Sequence, residues 1–427
     1  MKELYPGLYA HRLPSGLYVL VEPMERVRSV AVGVWVRAGS RDDPPGKGGL
    51  AHFLEHMVFK GTARRSALEI AQAIDSLGGN LNGATGKEST FYYTTVLTEG
   101  LDTALGVLGE MLTEPKLSPE DLERERAVVL EEIRGAEDNP EDVVLRLLSQ
   151  RLWGEGHPLG RPILGTAEAV ASLKAEDLWE FFRCHYRPAC TVLVASGRLR
   201  PEELITCAER FWPAEVDGAL PERSRPFPQA GLALTEREIQ QVHLMLGFPT
   251  VQAGAPERYG LEVLSTLLGG GVSSRLFQRV REERGLVYTV FANTAYYTDA
   301  GALMIYAATE EKRLPEVLEI VWQEIKAMTQ TPPSPEELAR AVERLRGGFL
   351  LGLEDPGGRM FRLGTNAALG LEIVPIPEVE RRLMAVTPEE VRELAAKFLR
   401  PETAALALVG PSAARLERLG KAHVEVS

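Results

Sequence analysis

The segment KLSPEDLERERAVVLEEI, Lys116–Ile133, recurs as PPSPEELARAVERLRGGF, Pro332–Phe349, with Ser334 standing in the place of Ser118. Each copy reads as a helix whose start is written in. Ser is the N-cap, Pro takes the first helical position, and an acid, Asp121 or Glu337, stands three residues after the cap. A second pair keeps nearly the same offset: LKAEDLWEFFRCHYRPACTVLVASG from Leu173 parallels VTPEEVRELAAKFLRPETAALALVG from Val386, with Pro401 in the place of Pro188. Both members read as a helix followed by an apolar strand. One pair of acid-rich helices is within the reach of chance, whereas two ordered matches at almost one offset point to a duplicated domain.

The repeats divide the chain into a first domain over residues 1–212, a linker over 213–230 and a second, homologous domain over 231–427. The linker PAEVDGALPERSRPFPQA, Pro213 to Ala230, is rich in Pro, Gly and charge and lacks periodicity. A chain of 427 residues also exceeds the size of about 250–300 residues at which a single core stops growing. Strand-like runs such as Val30–Val36 and Phe91–Val96 are interleaved with helical patterns, so each half reads as α+β. TFYYTTV, Thr90 to Val96, has the alternation of a half-buried antiparallel strand, although the mixture by itself leaves parallel and antiparallel sheets open.

A hydrophobic fraction of 44% and a charged fraction of 25% are those of an ordinary soluble protein. No apolar run approaches the roughly 20 residues that cross a bilayer. The start, MKELYPGLYAHRLPSG, lacks the basic-then-apolar pattern of a secretory signal and the Arg-rich pattern of a transit peptide, so a cytoplasmic location is expected. Cys184, Cys190 and Cys207 are odd in number and without CxxC spacing, which points to ordinary thiols. The net charge of -12, with no Lys/Arg block, argues against nucleic acid or an anionic membrane as partner.

GLAHFLEHMVFKGT, Gly49 to Thr62, is bounded by glycines and has helical apolar spacing. On a helix, His52, Glu55 and His56 fall within an arc of about 100°, opposite Leu50, Phe53, Leu54, Met57 and Val58. Two imidazoles one turn apart both reach a tetrahedral zinc, and a carboxylate beside them sits near a metal-bound water without ligating. The pattern, HxxEH, is short, and histidines at this spacing are often partly exposed polar residues. A catalytic zinc needs a third protein ligand. His11, His157, His185, His243 and His423 show no partner motif, while the helix after Ser118 offers Glu123, Glu125, Glu131 and Glu132. Spacing alone does not choose among them, though Glu125 and Glu132 share a face, and Glu123 and Glu131 have the look of a solvated face paired with arginines.

On these residues the chain resembles, over nearly its whole length, the pitrilysin-type or inverzincin (HxxEH) zinc metallopeptidases, in particular the short class that includes the mitochondrial processing peptidase subunits. The resemblance implies two homologous α/β-sandwich domains in tandem, each a mostly antiparallel sheet packed with helices. It also implies one zinc per chain, with His52, His56 and Glu132 as metal ligands, since Glu132 stands at the distance after His56 where such peptidases place their third ligand. Glu55 becomes the catalytic base and Glu125, seven residues before the ligand, its support. SSRLFQRVREERGLVYTV, Ser273 to Val290, resembles the segment that supplies an Arg and a Tyr seven residues apart to the substrate and the oxyanion, here Arg281 and Tyr288. NLNGATGKESTFYYTTV resembles the edge strand that pairs with the substrate, which assigns Asn82, Gly83, Ala84 and Thr85 to substrate binding; Gly83 departs from the Ala often found there and is expected to loosen the strand.

The duplication adds that Glu125 and Glu132 correspond to Ala341 and Gly348, so the second half has lost the ligands. In long relatives such as the insulin-degrading enzyme two such tandems are fused, with zinc in the first domain and the Arg/Tyr pair in the last. A single tandem carrying both motifs is therefore expected to form a homodimer in which Arg281 and Tyr288 act in trans, a heterodimer with a related chain being the alternative. The implied activity is zinc-dependent endopeptidase hydrolysis of extended peptides or unfolded segments inside a chamber. Subunits of this kind that have lost zinc serve as structural partners, and the complete ligand set here argues against that role. A processing peptidase and a general oligopeptidase share this chemistry and are not separated by sequence.

Overall fold

Thr90–Leu97 alternates in burial along its length, as its pattern predicts, and lies one strand in from the edge of a sheet. The structure is a computed structural model, and it describes residues 1–212 and 220–424; residues 213–219 of the expected linker lie outside the described residues. Among the described residues this sheet has seven strands: β1 (Lys2–Tyr5), β2 (Leu8–Arg12), β3 (Tyr18–Pro23), β4 (Ser29–Val36), β5 (Asn80–Thr85), β6 (Thr90–Leu97) and β7 (Thr191–Gly197). Their order is β1-β2-β3-β7-β4-β6-β5. All neighbours are antiparallel except β3 and β7. β4 and β7 are buried almost throughout because both faces of the sheet are covered, which is why they read as continuous apolar runs.

The period of two sorts β4 between two cores. Val30, Val32, Val34 and Val36 meet Phe53 and Leu54 of the helix Leu50–Val58, Leu105 and Leu108 of the helix Leu101–Thr113, and Leu178 of the helix Ala175–His185. Ala31 and Trp35 face the other way, against Met360 and Leu363 of the helix Pro356–Ala368. Trp35 lies so close to that helix that a Cβ on Gly364 would sit 2.4 Å from its ring; only glycine allows the approach.

The second sheet has β8 (Gly231–Glu236), β9 (Gln241–Thr250), β10 (Val287–Tyr296), β11 (Gly301–Glu310) and β12 (Ala405–Gly410). Its order is β10-β11-β9-β12-β8, with β8 and β12 parallel and the other pairs antiparallel. Read from the other end, β8-β12-β9-β11-β10 repeats β3-β7-β4-β6-β5 strand for strand, including the position of the one parallel pair. The duplication inferred from helix motifs is thus also a duplication of topology, and both halves are mostly antiparallel sheets sandwiched by helices.

The compact units take the two expected halves with segments exchanged. One comprises residues 1–134, 162–224 and 350–374, and the other residues 135–161, 225–349 and 375–427. Helix Pro140–Trp153, from the first half of the chain, buries Val143, Val144, Leu148 and Leu152 against Met245, Ala405 and Ala407 of the second sheet. Helix Pro356–Ala368, from the second half, covers the first sheet. These two helices are repeat counterparts: Pro356 stands to Pro140 as Ser334 stands to Ser118, at the same offset along the chain. The exchange is therefore reciprocal. Both serine caps form as expected, Asp121 N–H donating to Ser118 Oγ and Glu337 N–H to Ser334 Oγ, each at 3.2 Å.

The described end of the linker is held by charge. Arg223 makes a two-pronged contact with Asp42 at 2.9 and 2.8 Å, and Arg41 donates to Glu88 at 2.6 Å. No helix among the described residues is long and apolar enough to cross a membrane, and the three cysteines are free thiols.

Candidate active site

Helix Leu50–Val58 starts at Gly49, whose φ of +89° is left-handed and open to glycine without strain. A Cβ there would also lie 2.5 Å from the Leu164 carbonyl oxygen. Asp43 does the capping from outside the helix, its carboxylate accepting from the Gly49 and Ala51 N–H groups, both at 2.8 Å. With Leu50, Phe53, Leu54, Met57 and Val58 in the core, the remaining stripe presents His52, Glu55 and His56 together.

The helix Pro119–Asp138 brings Glu132 to that stripe. Glu132 Oε2 lies 3.6 Å from His52 Nε2 and 3.4 Å from His56 Nε2. A tetrahedral zinc with N and O ligands at about 2.0–2.2 Å holds neighbouring ligand atoms about 3.4 Å apart, so the spacing and the donor types both fit that ion. One ligand atom from each of the three residues falls within 4.8 Å of the others, a grouping found among the described residues. The neighbouring acids sort themselves by partner. Glu123 pairs with Arg126 at 2.8 Å and Glu131 with Arg134, each on the solvent side, as their spacing suggested.

Glu125 is buried at the foot of the cluster. Its Oε2 lies 3.2 Å from His56 Nδ1 and its Oε1 is 2.7 Å from Lys60 Nζ. A proton on Nδ1 shared with this carboxylate leaves Nε2 free to accept a metal, the usual way a carboxylate orients an imidazole for ligation. Burial, with the neighbouring His56, pushes His52 down to about 4, so at neutral pH it is uncharged, the form an imidazole must have to bind a metal. In metal-free protein this pKa lies below the ordinary histidine value, and the unfolded chain takes up the proton first. The stability that the neutral His52 contributes is therefore lost as pH falls from about 6.5 towards about 4. Thermal unfolding in chelator should show the loss in wild type and less of it in His52→Gln; identical profiles would exclude a buried neutral His52.

Glu55 sits beside the cluster without contributing to it. Burial raises its pKa against the lowering effect of hydrogen bonds from Thr85, whose hydroxyl donates to Glu55 Oε2 at 2.8 Å. A carboxyl raised above its ordinary value is better matched to proton transfer near neutrality.

Asn82, Gly83, Ala84 and Thr85 lie on β5, the edge strand, bonded to β6 on one side. A Cβ at Gly83 would meet the rings of Tyr92 at 3.1 Å and Phe59 at 3.2 Å. Those aromatic rings already fill the space an alanine methyl would take.

Arg281 and Tyr288 belong to the other unit. Arg281 lies in a π-helical turn, Phe277–Glu282, a distortion that recurs at functional positions. Its guanidinium carbon is 4.6 Å from the Phe277 ring centre and 5.0 Å from that of Tyr288. The seven-residue spacing is thus a stacked pair, with Tyr288 at the start of β10 and 76% exposed. Sequence reasoning missed Lys60 and Asp43. Lys60 carried a signal, four residues after His56; Asp43 precedes the helix by too many residues for a cap pattern.

Residues 18–167 match the insulinase family, peptidase family M16, and residues 172–345 match the peptidase M16 inactive domain. An uncharacterized zinc protease of Streptomyces coelicolor is 38% identical over 93% of this chain and 88% of its own length. The chain belongs to peptidase family M16. It is a zinc metallopeptidase by that membership, built of two tandem M16 domains. The uncharacterized zinc protease YmxG of Bacillus subtilis is 37% identical to this M16 chain, over 93% of it and 97% of YmxG. Among solved structures, a peptidase M16 inactive domain from Pseudomonas fluorescens superposes with a TM-score of 0.89 at 22% identity, covering 95% of this chain and 98% of that one. A protease from Helicobacter pylori gives 0.88 at 20% identity, covering 95% and 99%. Those two likenesses speak for the fold.

Proposed function

We propose that this M16 chain is an endopeptidase for extended peptides or unfolded segments, with His52, His56 and Glu132 holding one zinc per chain and Glu55 as general base. The observation that carries the reading is the raised, half-buried Glu55 carboxylate beside two imidazoles and a carboxylate at tetrahedral spacing. Zinc bound there supplies a Lewis acid that lowers the pKa of a water towards about 7. Glu55 would take the proton of the attacking water as its oxygen adds to the scissile carbonyl, and return it to the leaving amine. Glu125 holds His56 in its ligating tautomer, with Lys60 balancing its charge. The substrate backbone adds to the open side of β5 along Asn82, Gly83 and Ala84, which requires an extended peptide.

The Tyr288 hydroxyl and the Arg281 guanidinium donate to the oxyanion of the tetrahedral intermediate. We assign them to a second copy of the chain, because one chain carries both motifs. Metal analysis of the purified protein, with product mapping on a library of unstructured peptides, tests the reading. One zinc per chain and internal cleavage products are expected. Zinc-loaded protein that releases only terminal residues would overturn the endopeptidase assignment.

A further inference from the structure

Thr85 is the last residue of β5 and pairs with Thr90 across the hairpin, at the end of the edge offered to substrate. Its side chain does not serve that edge. Its hydroxyl donates to the Glu55 carboxylate at 2.8 Å. Resting on the reading of Glu55 as base, we propose that Thr85 is a positioning residue: it orients the general base and thereby ties the base's geometry to the strand that receives the peptide.

The anchorage of Thr85 supports this. The turn that follows it closes through Gly86 N–H to the Ser89 carbonyl at 2.8 Å, and it is braced from the side by Ser40 and Arg41, whose N–H groups donate to the Gly86 and Lys87 carbonyls at 3.0 and 2.7 Å. The brace is close: a Cβ on Gly39 would lie 2.4 Å from the Gly86 oxygen. The Thr90 hydroxyl donates to the Ala38 carbonyl at 3.0 Å. Thr85 is therefore fixed from the turn and from β6, and it passes that rigidity to one oxygen of Glu55. A base must stand within hydrogen-bond reach of the proton it removes, and a carboxylate free to rotate spends much of its time elsewhere.

Two roles on one strand follow. Residues up to Ala84 are left for peptide pairing, and Thr85 is committed to the base, so substrate binding and base placement are separable by mutation at position 85. Thr85→Val keeps the branched shape and the backbone N–H but removes the hydroxyl. Its kcat should fall about 10- to 100-fold, the effect of one lost hydrogen bond to a charged, catalytically placed group. KM and zinc content should stay near wild type, and Thr85→Ser should restore most of kcat.

Glu55→Gln is measured alongside. If it is inactive while Thr85→Val matches wild type, the positioning role is wrong and the base assignment stands. An active Glu55→Gln overturns the base itself. A Thr85→Val chain that loses activity through KM alone assigns Thr85 to substrate binding and also overturns the proposal. Loss that Ser fails to rescue does the same, since it marks a packing defect.

Discussion

Glu55→Gln should keep its zinc and lose peptide hydrolysis by about 10²–10⁴-fold, the range general-base catalysis contributes. The amide has the volume of the carboxylate, and its oxygen still accepts from the Thr85 hydroxyl that now lies 2.8 Å from Glu55 Oε2. It cannot take a proton from the attacking water. The proposed ligands are His52, His56 and Glu132, whose donor atoms lie within 4.8 Å of one another, so metal content should not change, and KM should stay close to wild type because the loss falls on the transition state. Heat resistance offers an independent check. Burial raises the Glu55 pKa, so in metal-free protein its ionisation costs stability as pH rises from the ordinary carboxylate value through the raised one. The neutral Gln side chain removes that cost, and metal-free Glu55→Gln should unfold at a temperature no lower than wild type near neutrality. Near-normal activity in this variant would sink the base assignment; loss of zinc would move Glu55 into the ligand set.

How far the sequence carries towards this site depends on the kind of constraint. Caps at Ser118 and Ser334 and the paired helix–strand segments are local signals, and the repeat they reveal reappears as one shared order of five strands in the two sheets. Periodicity also shows which face of Pro140–Trp153 is apolar, but not which sheet that face will meet, and the reciprocal exchange with Pro356–Ala368 is a tertiary choice with no local trace. The zinc stripe is legible because one helix carries three of its groups. Glu132 is different: on its own helix it is one acid among several, and only the family resemblance singles it out. What distinguishes it physically is partnership, since Glu123 and Glu131 are taken by Arg126 and Arg134 and Glu125 by His56 and Lys60. Thr85 reads as part of an edge strand, and its tie to Glu55 joins positions far apart in the chain, beyond the reach of any spacing rule.

An equal mixture of His52→Ala and Arg281→Ala chains should recover activity that neither has alone. The first loses a proposed zinc ligand. The second loses the proposed oxyanion donor, a loss worth about 10²–10³-fold, and removing the guanidinium also takes away the face on which the exposed Tyr288 ring rests. If Arg281 and Tyr288 serve the zinc of a second copy, a mixed dimer holds one complete site: the zinc ligands of the Arg281→Ala chain opposite the Arg281 of the His52→Ala chain. Random exchange makes half the dimers mixed, with one of two sites intact, so the mixture should reach about a quarter of wild-type activity. Were each site built from a single chain, every site in every dimer would carry one of the two defects and nothing would return. Exchange itself is measured by tagging one chain and weighing the purified dimers, which separates a failure to mix from a failure to complement. Dimers shown to be mixed and still inactive would place Arg281 in the same chain as the zinc it serves, or would require a related chain as the natural partner.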